Sequence, residues 1–439
     1  MKNKKCAVLG LAKSGIAAAY KLKKLGYEPF LSEFRPKNEI ENAEILTQNF
    51  ACEFGGHSDT LFSYDTIIVS PGIPLQTEII KKLQNHNIEL ISEIEFGYRI
   101  KHPDSKIIAI TGSNGKSTTV SLIHHILQKA GYHSILAGNI GTAFTSYPIE
   151  EPGIDFIVLE ISSFQLDLIH SFHPDVAAIL NITPDHLNRY DSFEHYVQSK
   201  FRIFQNVTNA DVAIINSSDN VIMNYSNKLD ISFSYFGLDN SSDFKIKKES
   251  YEFRNHNYSL VNSKLHGTHN LLNSMASVLA VDSFVEDKSC IQNAITSFQP
   301  LPHRLEEFHV HKGIRFINDS KATNTDSVKY ALTSFEKPVR IIMGGSDKGE
   351  DFTILNPHLK KHVKKIYLIG ETIEKMQQAF DGICPIETFS TFRECVQKSY
   401  TDSVSGDVIL LSPACASYDM FKNYEDRGNR FKAIVRELS

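Results

Sequence analysis

The sequence predicts an α/β protein of three domains whose sheets are mostly parallel. Short β-branched runs alternate with amphipathic stretches over most of the chain, the pattern of strands joined by crossover helices. Several of these runs stop at a glycine-rich or polar turn that opens a helix, as at Gly10–Gly15 and Gly112–Ser117. The length of 439 residues exceeds one ordinary core.

The first block, residues 1–94, opens with a strand at Cys6–Leu9, the turn Gly10-Leu11-Ala12-Lys13-Ser14-Gly15 and a helix ending near Gly26. A strand at Pro29–Ser32 stops at Glu33, and another at Thr66–Ser70 stops at Pro71-Gly72. This is a small Rossmann-like unit with a broken dinucleotide fingerprint. Ala12 stands at the second glycine, and its methyl group hinders close approach of a pyrophosphate. The turn reads either as a nucleotide dock or as glycines serving chain reversal and packing.

The second block, residues 95–301, holds a strand at Ile107–Ile110, the turn Thr111–Ser117 and a helix reaching Gly131, then strands at Phe156–Leu159 and Val176–Leu180. Between Asn216 and Asn262 the composition shifts to Ser, Asn and isolated aromatics, as in Phe233-Ser234-Tyr235-Phe236, which predicts short antiparallel strands. A helix resumes near Asn270. Gln299-Pro300-Leu301-Pro302 ends it and stiffens a linker. The third block, residues 302–439, is again Rossmann-like, with strands at Arg315–Ile317, Val339–Met343, Lys365–Ile369 and Val408–Leu411.

Composition narrows the class. Hydrophobic residues make up 41% and charged residues 22%, ordinary for a soluble globular protein. The formal net charge is −5 with no long basic run, which argues against a nucleic-acid partner. The six cysteines form no C-x-x-C pair, so they read as reduced thiols in the cytoplasm. Lys13 interrupts the apolar run Cys6–Ala12 after seven residues, too early for a signal peptide, and no stretch of about 20 apolar residues predicts a membrane span.

The strongest chemical signal is Gly112-Ser113-Asn114-Gly115-Lys116-Ser117, continued by Thr118. Following a strand and opening a helix, it has the context of a P-loop. Backbone N–H groups cradle phosphate oxygens, the lysine adds a positive charge, and the hydroxyl faces Mg²⁺. Glu160 ends the apolar run Phe156–Leu159 and reads as a Mg²⁺ ligand or as an ordinary exposed carboxylate. Glu150, in a loop with Pro and Gly, serves as its inert contrast. His186, in Asn181-Ile182-Thr183-Pro184-Asp185-His186, follows the next strand and falls at the same carboxyl edge, where open α/β sheets bind ligands. Lys200, in the helical segment Tyr196–Phe204, reads as a surface lysine. Asn318-Asp319-Ser320-Lys321-Ala322-Thr323-Asn324 follows a strand and suits a ribose or phosphate, or a helix cap. Gly344–Gly349 and Ser412–Ser417 also follow strands, and Cys415 reads as a packed thiol.

Taken in order, Thr111–Thr119, Glu160–Gln165, Asn181–His186, His266–Asn270, Asn318–Asn324 and Ser412–Ser417 resemble the motifs of the Mur ligases over essentially the whole chain. The tail Pro413–Gly428 is similar to that of the D-glutamate-adding branch, and the Asp-Asn-Pro-Arg motif of a sibling branch is absent. The resemblance implies a monomeric, ATP-dependent enzyme. It would join UDP-N-acetylmuramoyl-L-alanine to D-glutamate through an acyl phosphate, with two Mg²⁺ ions. It implies that Lys116, with Gly112, Ser113, Asn114, Gly115, Ser117 and Thr118, holds ATP phosphates. Asn270 would meet the adenine, Arg304 the phosphates and Asp319 the ribose. Metal would rest on Ser117, Glu160, His186 and Lys200, with Lys200 carbamylated. Ser14, Glu33, Arg35, Gly72, Asn139, Ser162 and Gln165 would contact the UDP-substrate. Lys321, Thr323, Lys348, Ser417, Tyr418 and Tyr424 would surround D-glutamate. Tyr418 and Tyr424 stand where other members often carry apolar residues, Glu33 where Asp is common, and Lys13 where an apolar residue is common.

The residues leave rivals open. A folyl-polyglutamate synthase or a different Mur ligase is separated from this reading only by the amino-acid pocket. A regulatory P-loop NTPase, which would switch a partner and make no product, is a rival from another class. A Rossmann oxidoreductase is disfavoured by the broken fingerprint.

Overall fold

The computed structural model describes residues 4–438 except 186–188, 266, 336 and 348. Its strands fall into four sheets. The first contains β1 (Cys6–Leu9), β2 (Phe30–Glu33), β3 (Ala51–Phe54), β4 (Thr66–Val69) and β5 (Glu89–Ser92), all parallel, in the order β3-β2-β1-β4-β5. Strands β1, β2 and β4 are buried along their length, between apolar clusters on the two faces of the sheet. A parallel sheet needs such double cover, and this is why these strands read as continuous apolar runs. Glu33 closes β2 rather than following it, so its carboxylate is inside the fold.

The second sheet contains β6 (Lys106–Thr111), β7 (Ser134–Gly138), β8 (Phe156–Glu160), β9 (Val176–Ile179), β10 (Val212–Asn216) and β11 (Phe233–Phe236), in the order β11-β10-β9-β6-β8-β7. All its pairings are parallel. This corrects the expectation for Phe233–Phe236. The segment is not an antiparallel strand but extends the parallel sheet beside β10. Its aromatics fit either arrangement, and only the crossover through the helix Asn220–Ser226 distinguishes them. The antiparallel strands do occur a few residues later, as β12 (Lys245–Lys247), β13 (Ser250–Phe253) and β14 (His256–Ser259).

The last sheet contains β15 (Glu306–His311), β16 (Ile314–Asn318), β17 (Val339–Met343), β18 (Val363–Ile369), β19 (Ile386–Phe389) and β20 (Val408–Leu411), in the order β15-β16-β20-β17-β18-β19. The hairpin of β15 and β16 is antiparallel and the other pairs are parallel, so the Rossmann-like sheet is mixed at one edge.

The chain divides into two compact units. Met1–Ile182, Arg189–Ser259 and Leu272–Ile295 form one, holding the first three sheets, and Thr296–Ser439 makes up most of the other. Among the described residues no helix is long and apolar enough to cross a membrane.

Within the first unit, two buried carboxylates tie the first sheet to the second. Ser92 caps the helix Glu93–Ile100, its hydroxyl accepting from the Glu95 amide at 3.2 Å. The Glu95 carboxylate accepts from the Arg99 guanidinium at 2.7 Å and from the backbone amides of His170 and Phe172 at 2.9 and 2.8 Å. Glu93 accepts from the Thr145 amide and hydroxyl at 2.6 and 2.7 Å. Glu150 is not an inert loop carboxylate either. It pairs with Lys21 and Lys24 of the first helix, so it holds the two sheets together and makes a poor contrast for Glu160.

The two carboxylates respond to pH with opposite signs. Burial pushes the Glu93 carboxyl up from 4.5 to about 7, over the opposing hydrogen bonds from Thr145. Its contribution to stability is therefore fully present below 4.5 and lost as pH rises through 7. Burial also works against ionised Glu95, but the Ser171 hydroxyl, the backbone amides and Arg99 outweigh it and hold its carboxyl below the usual range. That contribution is present at neutral pH and lost on acidification. Glu93→Gln removes only the first term. Relative to the parent, the variant should gain on the order of 3 kcal/mol between pH 4.5 and 8. Urea unfolding at the two pH values measures this, and a pH-independent difference would refute it.

Candidate active site

The carboxyl ends of β6, β8 and β7, adjacent in the second sheet, carry the candidate site. After β6, Gly112 takes φ +152° and Gly115 φ +85°, conformations that favour glycine. Gly115 has a second reason, since a Cβ there would meet Asn273 Oδ1 at 2.4 Å. The helix Lys116–Lys129 starts immediately after it, with Ser117 and Thr118 buried in its first turn. Asn181 holds the loop in shape. Its carbonyl accepts from the Ser113 amide at 2.9 Å, its side-chain oxygen accepts from the Asn114 amide at 2.7 Å, and its Nδ2 donates to the Asn114 carbonyl at 3.0 Å.

Two lysines converge on this loop. Lys116 Nζ donates to the carbonyls of Gly112 and Ser113 at 2.6 and 2.8 Å. Lys200 Nζ donates to the same Gly112 carbonyl at 3.0 Å and lies 4.7 Å above the Tyr196 ring. Lys200 is only 2% exposed, which corrects its reading as a surface lysine. The helix Phe193–Phe201 turns Tyr196 and Lys200, one turn apart, toward the P-loop, where the Tyr196 hydroxyl bonds Ser113 Oγ at 2.9 Å. Two ammonium groups on one carbonyl repel one another, and an anion arriving beside them relieves that repulsion.

Glu160 closes β8 and is buried. Its Oε1 accepts from Asn139 Nδ2 at 2.7 Å, and its carbonyl accepts from the Asn139 amide at 2.8 Å. Gly138, at φ +100°, permits this approach, because a Cβ there would lie 2.3 Å from the Glu160 carbonyl oxygen. Ser162 donates from its amide and hydroxyl to Gln165 Oε1, both at 3.0 Å, at the start of the next short helix. His186 lies outside the described residues.

In the first sheet the Glu33 carboxylate is already occupied. Its Oε2 accepts from the Leu11 amide at 2.7 Å, and both oxygens receive the Arg35 guanidinium. Burial opposes its ionised form, but Arg35 and these amides hold the carboxyl below its ordinary range. Glu33 thus fixes the glycine turn from within, and a nucleotide near that turn meets the exposed Arg35 side chain before it meets Glu33. Ser14 is half-buried and Gly72 exposed. A cavity of about 660 Å³ runs between the first helix and the 141–148 segment, with Lys13, Tyr20 and Thr142 on its walls.

The second unit gathers the other predicted residues. Asp319 accepts from the Ser412 hydroxyl at 2.8 Å and the Leu305 amide at 3.2 Å, and burial pushes its carboxyl up to about 7. Lys321 Nζ lies 5.3 Å over the Tyr424 ring, and Ser417 is buried. Tyr418 is 75% exposed, so its ring stands at a rim rather than inside a pocket. Asn324 caps the helix Thr325–Thr333, the alternative foreseen for this polar stretch. Cys415 is a packed thiol, pushed by burial up to about 12. Thr323, Asn270 and Arg304 are half-buried, and Lys348 lies outside the described residues.

Sequence reasoning missed Arg427. Its buried guanidinium donates to Ser320 Oγ and to the carbonyls of Ser320, Cys415 and Ala416 at 2.8–3.1 Å, fastening the 318–324 and 412–417 turns together. The only signal was its place in Glu425-Asp426-Arg427-Gly428, where Gly428 leaves room for His303. Tyr196 and Asn181 were equally silent, although each lay inside a stretch already singled out.

Sequence profiles of three domain families match almost end to end: a MurD-like N-terminal domain at residues 4–92, the Mur ligase middle domain at 110–281, and the Mur ligase glutamate ligase domain at 303–415. A UDP-N-acetylmuramoylalanine--D-glutamate ligase from Cytophaga hutchinsonii is 42% identical over the full length of both chains. The chain belongs to the Mur ligase family. A ligase of the same name from Bacteroides fragilis is 38% identical over 99% of this Mur ligase and all of its own length. Among solved structures, the Thermotoga maritima UDP-N-acetylmuramate-alanine ligase MurC superposes over the whole of both chains with a TM-score of 0.65 at 18% identity. Escherichia coli FolC, in complex with DHPP and ADP, superposes at 0.59 and 16% identity over 79% of this chain and 92% of its own. These structural likenesses concern the fold.

The clamp on the P-loop is testable. Asn181→Ala removes two hydrogen bonds from the loop and leaves its backbone groups short of partners. It should weaken ATP binding by about tenfold, the equivalent of 1.4 kcal/mol, while the fold persists. Nucleotide titration of the variant measures this, and unchanged ATP affinity would refute the clamp.

Proposed function

We propose that this Mur ligase joins D-glutamate to UDP-N-acetylmuramoyl-L-alanine at the expense of ATP, forming ADP and phosphate in the synthesis of peptidoglycan precursors. The observation that carries this is the end-to-end match to relatives bearing that name, joined to a P-loop whose Lys116 and Ser117 share a sheet edge with Glu160. The alanyl carboxylate is a poor electrophile because its leaving group would be oxide. Its oxygen takes the γ-phosphoryl group of ATP and ADP departs. The amine of D-glutamate then attacks the acyl phosphate, loses a proton, and expels phosphate.

In this reading Lys116 leaves the carbonyls of its own loop for the ATP phosphates, and the loop amides line the same phosphates. The hydroxyl of Ser117 and the carboxylate of Glu160 are hard oxygen donors of the kind Mg²⁺ takes, and Asn139 orients the Glu160 carboxylate. Mg²⁺ bound there supplies charge neutralisation to the phosphates. His186 and Lys200 belong to a second metal position. Asn270, Arg304 and Asp319 serve the nucleotide, and Lys321, Thr323, Lys348, Ser417, Tyr418 and Tyr424 serve D-glutamate. Ser14, Glu33, Arg35, Gly72, Asn139, Ser162 and Gln165 serve the UDP-substrate. Residues 1–94, 95–301 and 302–439 act as UDP-substrate, ATP and amino-acid domains. The enzyme works as a monomer in the cytoplasm.

Lys200 fits carbamylation. Its ammonium gives up one proton, the resulting amine adds to CO₂, and a second proton leaves as the carbamate forms, which replaces a buried cation by an anion beside Lys116. The carbamate nitrogen keeps one hydrogen and so keeps its bond to the Gly112 carbonyl. Its oxygens are hard donors.

The amino-acid assignment is tested by phosphate release from ATP in the presence of the UDP-acceptor and a panel of amino acids. D-glutamate should support turnover and L-glutamate should not; turnover with L-lysine or meso-diaminopimelate would move the protein to a sibling activity. For Lys200, the alanine variant should lose about 10²-fold or more in kcat and recover part of it in acetate, while Lys200→Arg stays inactive. Robust turnover by the arginine variant would sink the carbamate.

A further inference from the structure

We propose that Arg189 is a positioning residue for the sugar-nucleotide substrate, holding the 71–73 loop of the first sheet against the helix that carries Lys200. The inference rests on the proposed function, because it takes the loop containing Gly72 as part of the UDP site. The loop leaves β4 at Ser70 and has little regular structure of its own. Arg189 supplies the missing constraint. Its Nη1 donates to the Gly72 carbonyl at 2.9 Å, and its Nη2 donates to those of Pro71 and Ile73, the latter at 2.8 Å. Gln76, further along the same loop, returns a hydrogen bond to the Arg189 carbonyl at 3.1 Å. Three consecutive carbonyls thus face one planar guanidinium, a geometry that a lysine ammonium cannot match.

The other side of Arg189 is anchored in the second sheet's layer. Its guanidinium carbon lies 4.2 Å from the centre of the Phe164 ring, inside the stretch Glu160–Gln165. The next residue, Tyr190, is buried, stacks on the same Phe164 ring, donates its hydroxyl to Asp167 at 3.1 Å and shares a hydrogen bond with Ser199 Oγ, also at 3.1 Å. Ser199 precedes Lys200 on its helix. A continuous path of bonded groups therefore runs from the 71–73 loop through Arg189 and Tyr190 to the helix whose lysine touches the P-loop. Among the described residues no carboxylate pairs with Arg189. Its charge is met by carbonyl dipoles and a ring face, and stays available to the phosphates of a sugar nucleotide bound nearby.

Loss of the clamp should fall on one substrate. In Arg189→Ala the KM for the UDP-acceptor should rise more than about tenfold, while those for ATP and D-glutamate stay within about twofold. Arg189→Lys should share the defect, because it restores charge without the fork. Gln76→Ala, which leaves the guanidinium in place, should show the same selective change at smaller size. Amide exchange in residues 70–77 should quicken in all three variants. Equal changes in all three KM values, full rescue by lysine, or unaltered exchange would each overturn the proposal. Should the parent itself not turn over with this acceptor, the functional reading falls, while the exchange measurement still decides whether Arg189 holds the loop.

Discussion

The Gly112 carbonyl oxygen is the point on which the central site turns. A parallel sheet presents the carboxyl ends of its strands along one edge, and the loop leaving β6 must reverse there within a few residues. In that reversal the Ser113 and Asn114 amides turn to Asn181, and the Gly112 carbonyl meets both Lys116 and Lys200. Everything else at the edge follows from keeping that loop in place. Asn181 bonds three of its backbone groups, Tyr196 takes Ser113, and Gly138 and Gly115 remove the Cβ atoms that would push neighbouring strands and helices away.

The electrostatic consequence is that two ammonium groups are held at close quarters on one carbonyl. Conversion of Lys200 to a carbamate would alter the balance, turning one of two repelling cations into an attracting partner for the other and for magnesium. Lys200 and Tyr196 together fasten the helix Phe193–Phe201 to the P-loop.

The parts legible in the sequence were those with local periodicity or local turn chemistry. The strand, glycine turn and helix at Lys106–Lys129 are defined within two dozen residues, and so are Glu160 at its strand end and the polar stretch after β16. Three things were hidden for a shared reason, that they depend on what lies across the fold. Lys200 looked like a solvated lysine because a nine-residue helix with aromatics at several positions does not say which face is inward. The direction of β11 was misjudged because strand composition carries no information on pairing partner. Arg189 and Arg427 bind backbone carbonyls, and a carbonyl has no signature in the sequence; any residue could have stood at 72 or 416 and offered the same acceptor.

Those two arginines share a logic. Taking a guanidinium out of water, almost wholly for Arg427 and partly for Arg189, is costly, and the common remedy is a carboxylate. Here each is met by oxygens that are dipoles without formal charge: three loop carbonyls for Arg189, and three carbonyls with a hydroxyl for Arg427. Burial lowers the pKa of Arg427 to about 10 and also draws that of Arg189 down, yet both remain fully protonated at neutral pH. Such an arrangement fastens loops as firmly as an ion pair would, because a charge-assisted hydrogen bond is about twice as strong as a neutral one. Unlike an ion pair, it leaves the net charge of the arginine in the field around it. For an enzyme whose substrates are a nucleoside triphosphate, a nucleoside diphosphate sugar and an amino acid with two carboxylates, an arginine that orders a loop through carbonyls keeps its charge for an anion, the role proposed above for Arg189. A carboxylate partner would preserve the order and discard the attraction.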